Sequence, residues 1–349
     1  AAGRAMTNAL QSGRLSRRRF ALALPLLGAL PWAAHGSAVA AGPQRASRNL
    51  MGTRVDIVAD APDARLAQAA IAKAFAEMQR LEALLSRYHA DSVVRRIGAA
   101  AGHAPVPVVP EALAVLHSAA RVYRESAGAF DPTVGALDGW HFEPGQQAVP
   151  TPAAIAQALR RVDGQALRLD AQAGTAYLAR PGMALDLGGI AKLPILAAGL
   201  RVLQHEGVEN ALLNGGGDVL TAGRLQGRPW RVGVRDPRAP AQLLGAIAIE
   251  GRAVVASSGD YERGFVRGGR RLHHVLDPHT GWPTTGVHGV ALFARDVEAV
   301  NGWGTALMVQ GAAAVPAWSA RHPGVAVLAA AGDGTLWQSP DMAALLQAV

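Results

Sequence analysis

Asp186-Leu187-Gly188-Gly189-Ile190-Ala191-Lys192 sets an acid, a pair of glycines and a lysine within one turn of chain. Before it, the apolar run Met183 to Leu187 reads as the end of a buried strand. After it, Ile195 to Leu203 carries apolar residues at roughly helical spacing, so the glycines fall at a strand-to-helix junction. Such a junction suits an anion. Glycine lets backbone N–H groups approach a phosphate that a Cβ would push away, the helix N-terminus adds positive dipole, and the lysine supplies a point charge. Pro194 suits the first helical turn, where its missing donor costs nothing. The plainer reading, a tight turn followed by a solvated lysine, stays open for this fragment alone. The spacing fits neither a Walker A loop nor a Rossmann G-x-G-x-x-G turn.

Outward from that junction the chain alternates strands and helices without a regular βαβ period. Arg54 to Ala59 alternates as a strand, with Met51-Gly52-Thr53 just before it, and Asp63 to Tyr88 reads as a long amphipathic helix ending in the polar stretch Ser86 to Ser92. A second helix, Glu111 to Ser126, stops at Gly128-Ala129-Phe130-Asp131-Pro132-Thr133, where Asp131 also reads as a turn residue bonding its own backbone. Residues 138–150 are loop-like, and Thr151 caps a short helix to Arg161. Beyond the helix that ends at His205 come a strand at Ala211 to Leu213 and the turn Asn214-Gly215-Gly216-Gly217-Asp218. That turn reads either as a second close approach of backbone to ligand or as a plain hairpin.

Strands at Trp230–Val234, Leu244–Ile249, Ala253–Ala256 and Val290–Ala294 follow. A helix opens at Val300-Asn301-Gly302-Trp303-Gly304-Thr305 and runs through Val309, and Val325–Ala329 with Gly334–Gln338 closes the chain as a hairpin. Strands outnumber the helical crossovers that a parallel sheet requires. The expected class is α+β, with mixed, largely antiparallel sheets carrying helices.

Composition bounds the function. The 349 residues are 50% hydrophobic and 17% charged, which suits a large ordered core in one or two domains. The net charge is +8, but no basic run beyond the N-terminus is interleaved with aromatics, so nucleic acid is not an expected partner. Cysteine is absent, which excludes disulfides, thiolate metal sites and a cysteine nucleophile. Arg14, Arg17, Arg18 and Arg19 precede an apolar stretch from Phe20 to Ala34 and the small residues Ala38-Val39-Ala40. Basic head, short apolar middle and small-residue site make residues 1–40 a signal peptide cleaved after Ala40, or an uncleaved N-terminal anchor. Ser16-Arg17-Arg18-Arg19-Phe20 resembles the twin-arginine signal, so the twin-arginine export machinery and a periplasmic location are expected. The functional domain then covers residues 44–349.

Polar, glycine-rich motifs at the ends of so many elements imply one shared pocket. Their order and spacing resemble the ApbE family, the FAD:protein FMN transferases that link FMN through a phosphoester to a threonine of an acceptor protein. The pieces are Met51-Gly52-Thr53, Ser86 to Ser92, Gly128 to Thr133, Asp186 to Lys192, Asn214-Gly215-Gly216, Ser257 to Arg263, His274 to Pro283 and Thr305. The resemblance spans nearly the whole chain beyond the signal. It implies FAD contacts at Met51, Tyr88, Ala129, Phe130, Asp131, Asp186, Lys192 and Leu276. It implies Mg²⁺ at Gly189, through its carbonyl, and at Asn301, Gly304 and Thr305, and an acceptor that is a subunit of a membrane redox complex.

Splitting the pyrophosphate needs a neutralised AMP leaving group and an aligned hydroxyl, roles for Mg²⁺ and Lys192. His274 is the expected base, because imidazole titrates near neutrality; a structural histidine beside a strand end is the plainer reading. Two stretches depart from the family pattern. Lys-Gly-Tyr-Ala-x-Asp becomes Lys192-Leu193-Pro194-Ile195-Leu196-Ala197, and Ala-Asp-Ala-x-x-Thr becomes Val300-Asn301-Gly302-Trp303-Gly304-Thr305. Asn301 keeps a carbonyl oxygen but loses the charge that Mg²⁺ prefers, so weaker metal binding is expected. A flavin-binding protein without turnover and an enzyme hydrolysing FAD to FMN and AMP are the alternatives.

Overall fold

Eight strands make a central antiparallel sheet. In spatial order they are Gln44–Leu50, Thr53–Asp60, Asn210–Gly215, Asp218–Ala222, Ala253–Gly259, Val287–Ala294, Ala326–Ala331 and Leu336–Gln338. This computed structural model describes residues 42–348, so the signal-peptide reading of residues 1–40 lies outside the described residues. No helix among the described residues is long and apolar enough to cross a membrane.

Alternation along the inner strands explains the layering. Val55, Ile57 and Ala59 enter one core while Val58 enters another; Val254 and Ala256 oppose Ala253 and Val255, and Leu292 opposes Ala291 and Phe293. Successive side chains point to opposite faces, so strands this apolar are covered on both sides. The larger core is closed by the helices Ala64–Leu85, Pro110–Glu125, Lys192–His205 and Trp303–Gln310. The other is closed by a three-stranded sheet of Trp230–Asp236, Ala239–Ile249 and Leu346–Gln347, together with Met342. A third, small cluster of Leu137, Trp140, Ile155, Ala158 and Leu272 sits apart, with Phe142, Phe265 and Trp282 packed on it.

Local chemistry sets the element ends. The Asp63 carboxylate accepts from the Arg65 and Leu66 N–H groups at 2.8 and 3.4 Å, and the Thr151 hydroxyl accepts from Ala154 N–H at 3.2 Å. The first two strands of the sheet are joined by a two-residue loop, Met51-Gly52, with φ of +56° and +68°. Two left-handed residues give the turn whose twist matches a hairpin, and methionine holds that conformation only under strain of about 1–3 kcal/mol.

The expected antiparallel α+β architecture is present: every ladder among the described strands is antiparallel. Met183 to Leu187 is a correction. It is extended and buried but joins no sheet, making one parallel bridge between Ala184 and Val134 and one bond from Asp186 N–H to Pro132 O at 2.8 Å. Asn214 to Asp218 is the hairpin turn between Asn210–Gly215 and Asp218–Ala222. The chain does not close on the hairpin of Ala326–Ala331 with Leu336–Gln338, since the helix Pro340–Leu345 and the strand Leu346–Gln347 follow it.

Leu292, fully buried in the central sheet, measures how far the fold depends on this layer. Leu292→Ala is expected to cost about 2–5 kcal/mol, read as a lower urea midpoint with an unchanged slope.

Candidate active site

The turns at one end of the central sheet surround a cavity of about 690 Å³. That lies within the roughly 300–1,000 Å³ of small-molecule sites. Its wall is drawn from distant parts of the chain: Met51 to Thr53, Ser86 to Tyr88, Ala129 to Asp131, Trp140 to Glu143, Asp186 to Lys192, Ala256 to Gly259, His274 to Leu276, Val300 to Gly302, Gly304 and Thr305 contribute. Every residue singled out from the sequence, Met51, Tyr88, Ala129, Phe130, Asp131, Asp186, Gly189, Lys192, His274, Leu276, Asn301, Gly304 and Thr305, lies on this one wall.

The glycine-rich junction lies against the cavity. Lys192 begins the helix Lys192–His205, whose N-terminus has no side-chain cap; Pro194 has no N–H and Ile195 N–H bonds to Ala191 O, so the donors left to an acceptor are those of Lys192 and Leu193. The Lys192 ammonium is 3.2 Å from Asp218 Oδ2, and Asp218 Oδ1 accepts from Ser257 N–H at 2.9 Å. Asp186 is gripped on both oxygens. Oδ2 is 2.8 Å from Arg87 Nη1, and Oδ1 accepts from Gly188 N–H at 2.8 Å. Burial works to raise the Asp186 carboxyl, but the Arg87 guanidinium and these hydrogen bonds outweigh it and hold the group below the usual carboxylate range.

Gly189 is needed for contact. A Cβ there would stand 2.8 Å from Thr305 Oγ1 and 3.2 Å from a Phe130 ring carbon, and a Cβ on Gly304 would collide with Ser258 Oγ. Asn301 is buried, and its Nδ2 has no hydrogen-bond partner. Asp131 reaches the wall with its carboxylate already engaged, by Thr133 N–H and Oγ1 at 2.7 and 2.6 Å and Gly164 N–H at 2.9 Å. Those bonds serve the turn, while burial pushes its carboxyl upward. Tyr88 is 81% exposed at the lip, with the Arg87 guanidinium 5.8 Å from its ring centroid.

His274 lies where the hairpin Gly264–Arg267/Arg270–His273 meets the cavity. Its Nδ1 is 3.3 Å from Arg263 O. A carbonyl only accepts, so Nδ1 carries the proton and Nε2 keeps its lone pair. Titration near neutrality, the reason for choosing this residue, is corrected by the structure. Burial first, and then the Arg263 charge, push the imidazole down to about 3 in the protein alone.

Residues 51–329 match the family model of ApbE. The chain belongs to the ApbE family. It is 34% identical over 291 residues to the FAD:protein FMN transferase of Treponema pallidum (strain Nichols), covering 79% of this chain and 80% of that protein. A FAD:protein FMN transferase of Klebsiella pneumoniae (strain 342) is 31% identical over 308 residues, with 85% and 87% covered. The ApbE protein of Thermotoga maritima MSB8 superposes with a TM-score of 0.79 at 30% identity, over 87% of this chain and all but 1% of that one, which is 99% covered. The flavin transferase ApbE from Vibrio cholerae gives 0.73 at 27% identity, over 87% and 100%.

Within this ApbE chain the structure adds wall residues that sequence reasoning passed over. Arg87 sat inside the quoted Ser86 to Ser92 stretch and Asp218 closed the quoted glycine turn, but only folding shows each to be the partner of a named residue. Glu82, on the last turn of its helix, accepts from Met51 N–H at 2.6 Å and so fixes the strained turn. Trp140 and Phe142 lay in a stretch read as plain loop; two aromatics so close together in a loop were the available signal.

Asp186 and His274 act in the same direction on stability, and Asp131, raised by burial, acts in the opposite one. Asp186, depressed, contributes stability above the unfolded carboxylate value of about 3.9 that is lost as the pH falls through its folded value. His274, also depressed, binds its proton more readily unfolded, so stability falls as the pH drops from about 6.5 toward 3. The slope is at most about 1.4 kcal/mol per pH unit, less where cavity water screens the ring. His274→Gln is expected to flatten the fall of the melting midpoint between pH 7 and 4, followed by circular dichroism.

Proposed function

We propose that this chain transfers the FMN half of FAD to a threonine of an acceptor protein and releases AMP. The observation that carries the reading is the convergence of one lysine, one uncapped helix N-terminus and one neutral imidazole on a single cavity of suitable size. Family membership supports the same chemistry. In this mechanism the threonine Oγ attacks the FMN phosphorus, the bond from that phosphorus to the bridging oxygen breaks, and AMP leaves with the bridging oxygen. His274 Nε2 takes the hydroxyl proton. Lys192, held by Asp218, and the helix N–H groups stabilise the charge on the phosphate oxygens. Phosphate brought beside His274 also favours its protonated form, lifting the ring back toward a useful range.

The Mg²⁺ assignment is tested by the donors present. Gly189 O, Asn301 Oδ1 and Thr305 Oγ1 are hard oxygens, and Gly189 and Thr305 lie in close contact. Among the described residues, however, there is no group of three or more His, Asp or Glu side chains to hold a metal. Mg²⁺ is usually held by one or two carboxylates together with substrate phosphates, so on this neutral oxygen set the phosphates would have to supply the negative charge. These residues would then hold the ion, which supplies positive charge to the pyrophosphate when bound. The neutral, unpartnered Asn301 amide also favours a second reading, a flavin-binding protein that keeps the pocket without turnover. Under the first reading the protein works in the periplasm, exported by the twin-arginine route, on a subunit of a membrane redox complex.

Incubation with FAD, Mg²⁺ and a threonine-bearing acceptor separates the readings: a fluorescent acceptor band with AMP supports transfer, AMP alone indicates hydrolysis, and intact bound FAD indicates binding only. Asn301→Asp adds an anionic oxygen at the same place. It is expected to lower the Mg²⁺ concentration for half-maximal FAD cleavage by about tenfold or more, equivalent to about 1.4 kcal/mol. Mg²⁺-dependent protection from thermal unfolding should tighten in parallel. Unchanged titrations by both measures would place Asn301 outside the metal shell.

A further inference from the structure

The strands Gly264–Arg267 and Arg270–His273 form a two-stranded sheet that pairs with nothing else. Phe265 and Leu272 face each other and anchor the hairpin in the small aromatic cluster, Phe265 lying 6.1 Å from the Phe142 ring. On the opposite face Val266 is 64% exposed and pairs with Arg271, while His273 at the cavity end is buried against Thr284 O. Such a sheet has outer edges whose backbone groups are open to an added strand.

Its charge is one-sided. Residues 263–271 contain Arg263, Arg267, Arg270 and Arg271 and no acid. Arg263 and Arg271 have carboxylates only at 3.9 and 3.8 Å, from Glu143 and Asp260. Among the described residues Arg267 and Arg270 pair with no acid, although Arg270 lies 5.3 Å from the Trp282 ring centroid. Arg267 stands directly across from Arg270, and like charges so placed cost the hairpin stability. Arg267, Arg270 and Arg271 are absent from the cavity wall.

The hairpin also leads to the reacting groups. Its two ends run into Arg263 and His274, joined by a bond from His274 N–H to Arg263 O at 3.1 Å, and both residues line the cavity. We infer that this arginine hairpin is the docking surface for the acceptor protein, taking an extended, carboxylate-bearing segment along its free edge and leading the threonine to His274. The inference rests on the transferase reading. Four paired positions at about 3.3 Å each give a track of roughly 13 Å, enough for the few residues flanking the threonine.

The test uses a fluorescently labelled ten-residue peptide with one threonine flanked by aspartates, and the same peptide with asparagines in their place. Fluorescence anisotropy with the full chain should show the acidic peptide binding more weakly as salt rises, and the asparagine peptide binding at least tenfold more weakly. Arg267→Glu/Arg270→Glu should weaken the acidic peptide at least tenfold, and Arg267→Gln/Arg270→Gln less. FAD affinity, read by flavin fluorescence on the same preparations, should stay unchanged in both, which also reports that they are folded. Equal binding of the two peptides, or wild-type binding by the glutamate variant, overturns the proposal. So does sedimentation with anionic-lipid vesicles that the glutamate variant loses while peptide binding is unaffected, since that assigns the hairpin to a membrane surface. If the wild type binds the peptide through the hairpin but neither binds FAD nor releases AMP, the transferase reading fails and the docking surface stands.

Discussion

Asp218–Ala222, Ala253–Gly259, Val287–Ala294 and Ala326–Ala331, in the middle of the central sheet, are buried on both faces, and a strand so enclosed has little room along its length to show a polar group to solvent or ligand. Ala253–Gly259 illustrates the consequence: its first four residues are buried between two cores, and the serines appear only at Ser257 and Ser258, where the sheet ends. The turn Met51-Gly52, the turn before Asp218 and the start of Val287–Ala294 reach the same end. Chemistry gathers there because the rest of the sheet is closed to it. The cavity is thus a product of the layering as much as of any motif.

Two charges that face the cavity are matched by partners from other parts of the chain. Asp186 meets Arg87, ninety-nine positions earlier, and Lys192 meets Asp218 from the neighbouring hairpin. These pairs are partly exposed, so their value to stability is modest. Their effect is positional: each fixes a flexible side chain at a known place on the wall. An anion that enters competes with Asp218 for Lys192, which makes the lysine a responsive contact where Arg87 and Asp186 form a fixed one.

Much of this was legible from residues alone. The long helix from Asp63, the second from Pro110, the glycine junction at Lys192 and the inner strands all carried strong periodicity or caps, and the antiparallel class followed from their order. What escaped has physical causes. Gln44–Leu50 is an edge strand whose exposed residues are mostly polar, so it lacks the alternation that marks a half-buried strand. The arginine hairpin is four residues a side, and its burial depends on aromatics from residues 138–150 that local pattern does not connect to it. Met183 to Leu187 has the composition of a buried strand; no neighbouring strand comes alongside, which only the tertiary arrangement decides. Convergence on one pocket was readable from the recurrence of polar turns, whereas the ion pairs within it were not, since no local signal joins residues so far apart.

The small cluster of Leu137, Trp140, Ile155, Ala158 and Leu272 is separate from both cores of the sheet, yet Leu137, Trp140 and Phe142 form part of the cavity wall. A handful of residues holds less free energy than the layers of the sheet, and cooperative units open in order of their own stability. This wall is therefore expected to exchange its amide protons sooner than the sheet. The sheet keeps the reacting groups in place beside a wall of lower local stability.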